Sequence, residues 1–398
     1  MKKYLLLFLS VLLILVPCIS LWAVDFGLVL DQTPGFGGYG SDGQFDYSGM
    51  LIPRLSGLLG DNGEFYVSAG LRVDYSNKTW AIVPELLRTE FSWNFSSGDL
   101  KFGRMHYSDP LGFIAEGLFD GVRFSLDTEA GTFSAGTWYT GLLFKNRADI
   151  TMTSADLQSV AEATDYSDFI NTYFASRRII SALEWENPSL GELFRVNLAF
   201  LGQSDLSDGD RLNSQYVLGK IAMPYKAFVF SLGGCLELIE AHKEANRIAL
   251  AGELGINWEL PTSIEDQLSF LGRFSSGVVK DGSVVAFLPV TTECQGEILK
   301  PKLSGISILS LDYVARLHRN LSVDITSSYF IRSDLGTFSY GSDGYFLGNE
   351  FLGRVLWSPV SDIQLSLGGG IFLPSLGNAA PKADNLWRVE LNVILALF

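Results

Sequence analysis

The chain has 398 residues, with 29 Lys and Arg against 44 Asp and Glu, a net charge of −15 at pH 7. A nucleic-acid partner wants a basic stripe, and the sequence offers none. Mean hydropathy is +0.21, yet beyond residue 23 no uninterrupted apolar run approaches the ~20 residues of a transmembrane helix. What remains is hydrophobicity spread over alternate positions, as strands that cross a membrane carry it.

Lys2 and Lys3 open the chain, an apolar run follows from Tyr4 to Val16, Pro17 breaks it, and Ala23 offers a small residue. That order reads as a signal peptide over 1–23, cleaved near Ala23, although Leu21 is a poorer residue at the −3 position than a small one. An uncleaved anchor and lipidation at Cys18 are the alternatives, and Pro17 suits a lipoprotein signal badly. Loss of Lys2 and Lys3 takes the net charge from −15 to −17. Cys235 and Cys294 stay behind; with no CxxC or Cys/His cluster they offer neither a zinc nor a redox motif, and are expected unpaired.

Period-two alternation then predicts strands in order at 25–31, 44–57, 64–75, 80–95, 99–107, 120–128, 132–144, 176–186 and 193–203. It continues at 214–224, 227–239, 246–260, 267–276, 304–317, 321–332, 345–357, 361–373 and 385–398. In the third, Phe65, Val67, Ala69, Leu71, Val73 and Tyr75 share one face; in the last, Trp387, Val389, Leu391, Val393, Leu395 and Leu397 do. The 80–95 segment contains Pro84 and changes phase between Leu86 and Leu87, which predicts a bulge.

The connectors are a second signal. Tight turns at 60–63, 96–99, 129–131, 224–226, 318–320 and 359–361 carry turn-forming residues. Longer links lie between them at 32–43, 108–119, 145–175, 277–303, 333–344 and 374–384. Short turns on one side and long loops on the other are the asymmetry of an outer-membrane barrel, the short ones periplasmic. The parity holds with eighteen strands if Phe26, Leu28 and Leu30 form the first and 283–294 belongs to an outer loop; sixteen is the alternative. The fold class is therefore all-β, a transmembrane antiparallel barrel, with residues 24–398 as its single domain.

The polar phase of these strands is charged. Its bases are Arg72, Arg88, Arg123, Arg178, Arg195, Lys220, Arg247, Arg273, Arg316, Arg354 and Arg388. Its acids are Asp74, Glu90, Asp127, Glu184, Glu237, Glu253, Glu259, Asp312, Asp324, Glu350 and Glu390. A charge facing hydrocarbon costs ~2–4 kcal/mol at the midplane, so these side chains are candidates for the lumen. They read either as the lining of a hydrated pore that selects solutes by size and field or as cross-strand pairs that brace the wall.

Gly103-Arg104, Asp109-Pro110-Leu111-Gly112 and Phe119-Asp120-Gly121-Val122-Arg123-Phe124 together resemble the strand–loop–strand signature of the large porin and alginate-export-like outer-membrane families. The resemblance covers residues 103–124 and implies a solute channel with an inward-folded loop. At the C-terminus Phe398 and Ile394 fit the signal read by the barrel assembly machinery, whereas Asn392 and Glu390 depart from it.

No catalytic, cofactor-binding or metal pattern stands out. His106 near Asp109 is the one acid/base candidate, and its spacing is not diagnostic. The expected function is passive diffusion of small hydrophilic solutes across the outer membrane, with outer-membrane lipid around the wall. Segment 145–175 is the best candidate for an inward constriction. The runner-up is a transporter of hydrophobic molecules, which would need a plug and a side exit; an adhesive or structural barrel is a further class.

Overall fold

The computed structural model describes residues 24–207, 209, 211–241, 245–280 and 282–397. The expected signal peptide with its cleavage at Ala23, the lipidation candidate Cys18, the assembly residue Phe398, and His242, Asp208 and Asp210 lie outside them.

Alternate side chains meet opposite surroundings along each strand. In the stretch 248–254, Ala249, Ala251 and Glu253 are buried while Ile248, Leu250 and Leu254 are exposed, as a wall with a lipid face and an inner face requires. The strands are β1 (Val24–Tyr39), β2 (Asp42–Leu59), β3 (Gly63–Ser76), β4 (Thr79–Phe95), β5 (Gly98–Ser108), β6 (Glu116–Thr128), β7 (Gly131–Tyr139), β8 (Arg178–Leu190) and β9 (Phe194–Asp205). The second half holds β10 (Leu212–Tyr225), β11 (Phe228–Ala241), β12 (Arg247–Glu259), β13 (Gln267–Ser275), β14 (Ile306–His318), β15 (Leu321–Arg332), β16 (Phe346–Val360), β17 (Ile363–Leu373) and β18 (Leu386–Leu397). Each pairs antiparallel with the next, and β18 returns to β1 from Leu28↔Leu397 to Tyr39↔Leu386, closing an 18-stranded barrel. The expected eighteen strands are all present, and 283–294 lies in the β13–β14 loop as the parity required.

One connector is corrected. The link read at 32–43 is strand, and the β1–β2 turn is only Gly40 and Ser41. Its Gly and Pro residues mimic a loop for reasons of space. The ladder to β18 skips Thr33 and Pro34, so the proline forfeits no hydrogen bond there. A Cβ on Gly35 would stand 2.4 Å from Asp46 Oδ1 and 2.6 Å from Arg388 Nη2.

The bulge falls where the phase change placed it. Ser68 pairs with Arg88 and Ala69 with Leu86, leaving Leu87 as the extra residue of β4. Both Leu87 and the Arg88 side chain can then turn inward.

The wall has a gap beside β4. This strand pairs with β3 from Thr79 to Trp93, but with β5 only from Thr89↔Arg104 to Phe95↔Gly98. At Gly103 the backbone takes φ +106° and packs so closely that a Cβ would lie 1.8 Å from Thr89 O, so only glycine allows the departure. Above this point β5 and β6 leave the wall as a hairpin of their own. Pro84 sits on the abandoned edge of β4, where its missing N–H costs no ladder bond.

Candidate functional site

Three loops from the long-loop rim fill that half of the interior. The tip of the β5–β6 hairpin, 109–115, reaches strands that are not its neighbours. Leu111 packs where a Cβ on Gly233 of β11 would stand, and the guanidinium of Arg273 on β13 lies 5.3 Å from the Phe113 ring centroid. This tip is the inward loop that the resemblance at 103–124 implies. Its turn is organised by Asp109, whose carboxylate accepts from the N–H groups of Leu111 (2.8 Å), Gly112 (3.1 Å), Ile114 (2.8 Å) and Ala115 (2.9 Å). Burial pushes this carboxyl above its ordinary value and the four N–H groups pull against that. His106 is therefore no partner of Asp109; its imidazole faces Glu116 at 3.9 Å.

The β13–β14 loop, 276–305, is held by carboxylates from the wall. Glu237 accepts from Leu288 N (2.8 Å) and from Ser214 Oγ (2.9 Å). Glu350 accepts from the N–H groups of Glu297 (2.7 Å), Ile298 (3.1 Å) and Leu299 (2.9 Å). Phe287, Val290 and Leu303 of this loop join Phe113 and Ile114 of the hairpin tip in one apolar cluster. Burial of such surface contributes about 25 cal/mol per Å², and Ile114 O accepts from Val290 N at 2.7 Å to fix the two loops together.

The β7–β8 loop, 140–177, carries three short helices, α1 (Lys145–Ala148), α2 (Ser154–Ala161) and α3 (Phe169–Tyr173). One part turns inward: Leu143, Ile150 and Met152 enter the same cluster, and Arg147 meets Glu85 of β4. Another part occupies the gap in the wall. Phe144, Tyr173 and Val83 form a small buried cluster flanked by Phe169 and Phe174. The carbonyls on the abandoned edge of β4 find side-chain donors: Tyr166 to Ile82 O, Tyr173 to Pro84 O at 2.7 Å, and Arg104 to Leu86 O. Arg104 also grips Asp120 at 2.7 Å and Leu142 O at 3.0 Å. So 145–175 does not simply fold inward as a constriction; it divides between the interior and the wall.

Apart from Asp312, Asp324 and Glu259, the charged residues read from the sequence separate into three groups. Most are paired: Arg72 with Asp74 (2.9 Å), Arg88 with Glu90 (2.6 Å), Arg123 with Glu184 (2.9 Å), and Arg388 with Glu390 (2.9 Å). Glu253 takes both Lys220 (2.8 Å) and Arg273 (3.3 Å), and Arg354 meets Glu297 at 3.4 Å. The second group is sealed beneath the loops. Arg178, 1% exposed, is paired with Asp156 of α2 (2.8 Å) and Asp205 (3.4 Å), and Glu237 and Glu350 are the loop pins. The third group stands at strand ends: Asp127 accepts from Thr132 at 2.7 Å, Arg316 faces Glu265 at 3.1 Å, and Arg195 and Arg247 are exposed. Asp312 and Asp324 share the hydroxyl of Thr326, at 2.7 and 3.2 Å.

Several partners escaped the sequence reading. Glu85 lies ahead of the bulge, and only after the phase shift at Leu87 is applied does it join Arg88 and Glu90 on the inner face. Asp46 alternates with Gln44 and Ser48 and was legible in principle. Asp156, Arg147 and Glu297 belong to loops, where periodicity says nothing. Cys235 and Cys294 are free, as expected.

Below the loops, toward the short turns, a cavity of about 470 Å³ opens between β1 and β14 to β18. Thr33, Ser322, Asp324, Arg354, Gln364 and Asn392 are among its lining residues.

No family model matches the chain, and no curated protein sequence does. Solved structures match across its length. The outer membrane protein opdK from Pseudomonas aeruginosa has 12% identity and a TM-score of 0.63, with 94% of this chain and 98% of that one covered. Pseudomonas aeruginosa OccK2 (OpdF), solved in complex with glucuronate, has 11% identity and a TM-score of 0.62, with the same coverages of 94% and 98%. OpdK from the same organism, solved with vanillate, has 11% identity and a TM-score of 0.62, again over 94% and 98%. The chain has the outer-membrane porin fold. These structures support the porin half of the resemblance at 103–124 and not its alginate-export half. Within the porin fold, this chain's charged residues lie on the inner face, at the strand ends and in the loops that close the long-loop half.

Proposed function

We propose that this chain is an outer-membrane channel through which small hydrophilic solutes diffuse passively. The observation that carries the reading is the polar cavity beneath three pinned loops, set in an 18-stranded porin-fold barrel. Two of the similar structures hold small carboxylates, glucuronate and vanillate, which fits a channel for small solutes. In this reading residues 1–23 are removed on export near Ala23, the strand ending at Phe398 is what the assembly machinery takes up, and lipid surrounds the wall. The short turns then face the periplasm and the long loops face outward. Lumenal bases and acids act as both lining and braces, since the paired side chains remain partly open to the interior.

Transport of hydrophobic molecules needs a side exit. The gap beside β4 is where one would lie, and Phe144, Tyr166, Phe169 and Tyr173 fill it, which favours the aqueous reading. Planar-bilayer recording of the refolded mature protein tests the proposal. Stepwise ohmic conductance in potassium chloride is expected; a protein that inserts and gives no steps would defeat it.

A further inference from the structure

The interior changes character below the pinned loops, and the cavity there has a chemistry of its own. Its bases are already engaged. Arg388 is closed by Asp46 at 2.7 Å and Glu390 at 2.9 Å, and Arg354, the base that lines the cavity, faces Glu297 at 3.4 Å. Asp324 lines the cavity with Asp312 beside it, the two held together through Thr326. Several of its neutral groups are not engaged. Among the described residues, no group takes up the side chains of Ser322, Gln364 or Ser366. Asn392 spends its N–H groups on Asp31 (2.7 Å) and Thr33 (2.9 Å), which leaves its carbonyl oxygen to the cavity. Val314 and Leu356 supply short apolar patches between them.

We infer that this cavity selects uncharged, hydroxyl-rich solutes, sugars or polyols, over carboxylates; the inference rests on the channel reading and gives it a substrate class. A sugar hydroxyl exchanges a water for an amide or hydroxyl of the wall at little cost, because both make comparable hydrogen bonds. A carboxylate has no such exchange. It meets Asp324 and Glu390, and its one available base is shared with Glu297. Like charges repel strongly where the medium is less polarisable than water, so an unpaired anion is disfavoured against a neutral ring of equal size. Two of the similar structures were solved with carboxylates, glucuronate and vanillate; the cavity of this chain is inferred to favour neutral rings instead.

Glucose and glucuronate present one ring in neutral and anionic form. Liposomes loaded with the full mature protein are swollen in each, and the same preparation is recorded in potassium chloride. Glucose is expected to enter about threefold faster or more than glucuronate. Gln364→Leu, or Ser366→Ala should the first fail to fold, is expected to bring glucose down toward glucuronate, and Asp324→Asn to raise glucuronate. Ion steps accompanied by glucuronate entry as fast as glucose would overturn this inference and leave the channel standing. Neither steps nor swelling would overturn both.

Discussion

The hydroxyl of Tyr173 donates to the main-chain carbonyl of Pro84 across 2.7 Å, joining a loop to a strand that has lost its neighbour. A carbonyl on an unpaired strand edge inside a membrane has no water to bond, and leaving it bare costs several kcal/mol. Here side chains substitute for the absent strand, with Tyr166 serving Ile82 and Arg104 serving Leu86. Proline at the centre of this edge is the matching choice, since without an N–H it presents only a carbonyl acceptor and the substitutes need supply only a donor.

Replacing Tyr173 or Tyr166 by Phe keeps the ring and removes the donor. Each variant is expected to lose about 1–3 kcal/mol of barrel stability, the cost of a buried acceptor left unsatisfied. The double variant is expected to lose close to the sum. Urea titration of the folded, heat-modifiable species on gels measures this; wild-type midpoints for both single variants would show that the hydroxyls do not seal the wall.

Deleting residues 150–170 removes α2, Asp156 and Tyr166 together. If this loop were only a constriction, conductance would rise and stability would stay. Because it also fills the wall and neutralises Arg178, conductance is expected to rise while the unfolding temperature falls. Asp156→Ala alone isolates the second effect. Stranding one member of a buried pair costs about 3–5 kcal/mol, and the remaining Asp205 at 3.4 Å places the expected loss near the lower figure. A deletion variant as heat-resistant as wild type would return this loop to an ornamental role.

The barrel was legible because two solvents force alternation on every strand, and eighteen repeats of that pattern outweigh any one ambiguous segment. The Leu86/Leu87 phase change and Pro84 even located the bulge. What they did not reveal was the gap, because the β4 edge lacks a partner only once β5 turns away at Gly103, and a single glycine does not announce that. Residues 32–43 misled for the opposite reason: Gly35 serves the Arg388–Asp46 pair rather than a turn. The charged phase gave most wall residues and the wall acids that pair with them, yet not the partners that come from loops. Glu297, Arg147 and Asp156 meet the wall only through loops folded across the interior, contacts that no local period encodes.

The Asp109 carboxylate holds four N–H groups of the hairpin tip; Gly112 N also reaches the main-chain carbonyl of Asp109 at 2.9 Å, but among the described residues no second acceptor takes those of Leu111, Ile114 and Ala115. Asp109→Ala is expected to leave the wall folded and to loosen 109–115, since β5 and β6 keep their ladder below. Single-channel records should then show larger and noisier conductance, with limited proteolysis now cutting between Pro110 and Ala115. Quiet wild-type steps from the variant would mean that the apolar cluster of Phe113 and Ile114 fixes the tip unaided.

Ion selectivity sets two terms against each other. The inner wall is close to neutral, because Arg72, Arg88, Arg123, Arg273, Arg354 and Arg388 each face a carboxylate. Asp205, at the long-loop end of β9, is spent on Arg178. The field at the long-loop mouth falls instead to exposed acids such as Glu162, Asp165, Asp168, Asp343 and Asp384. Such a field is screened within about 8 Å at physiological ionic strength and reaches about 30 Å at 0.01 M. Reversal potentials across a salt gradient are therefore expected to show mild cation preference in dilute salt that fades as salt is raised. Neutralising Asp165 and Asp168 with Asn should weaken it further at low salt and change nothing at high salt. Strong anion selectivity in dilute salt would refute this balance of wall and mouth, and would mean that the wall arginines release their carboxylates to passing ions.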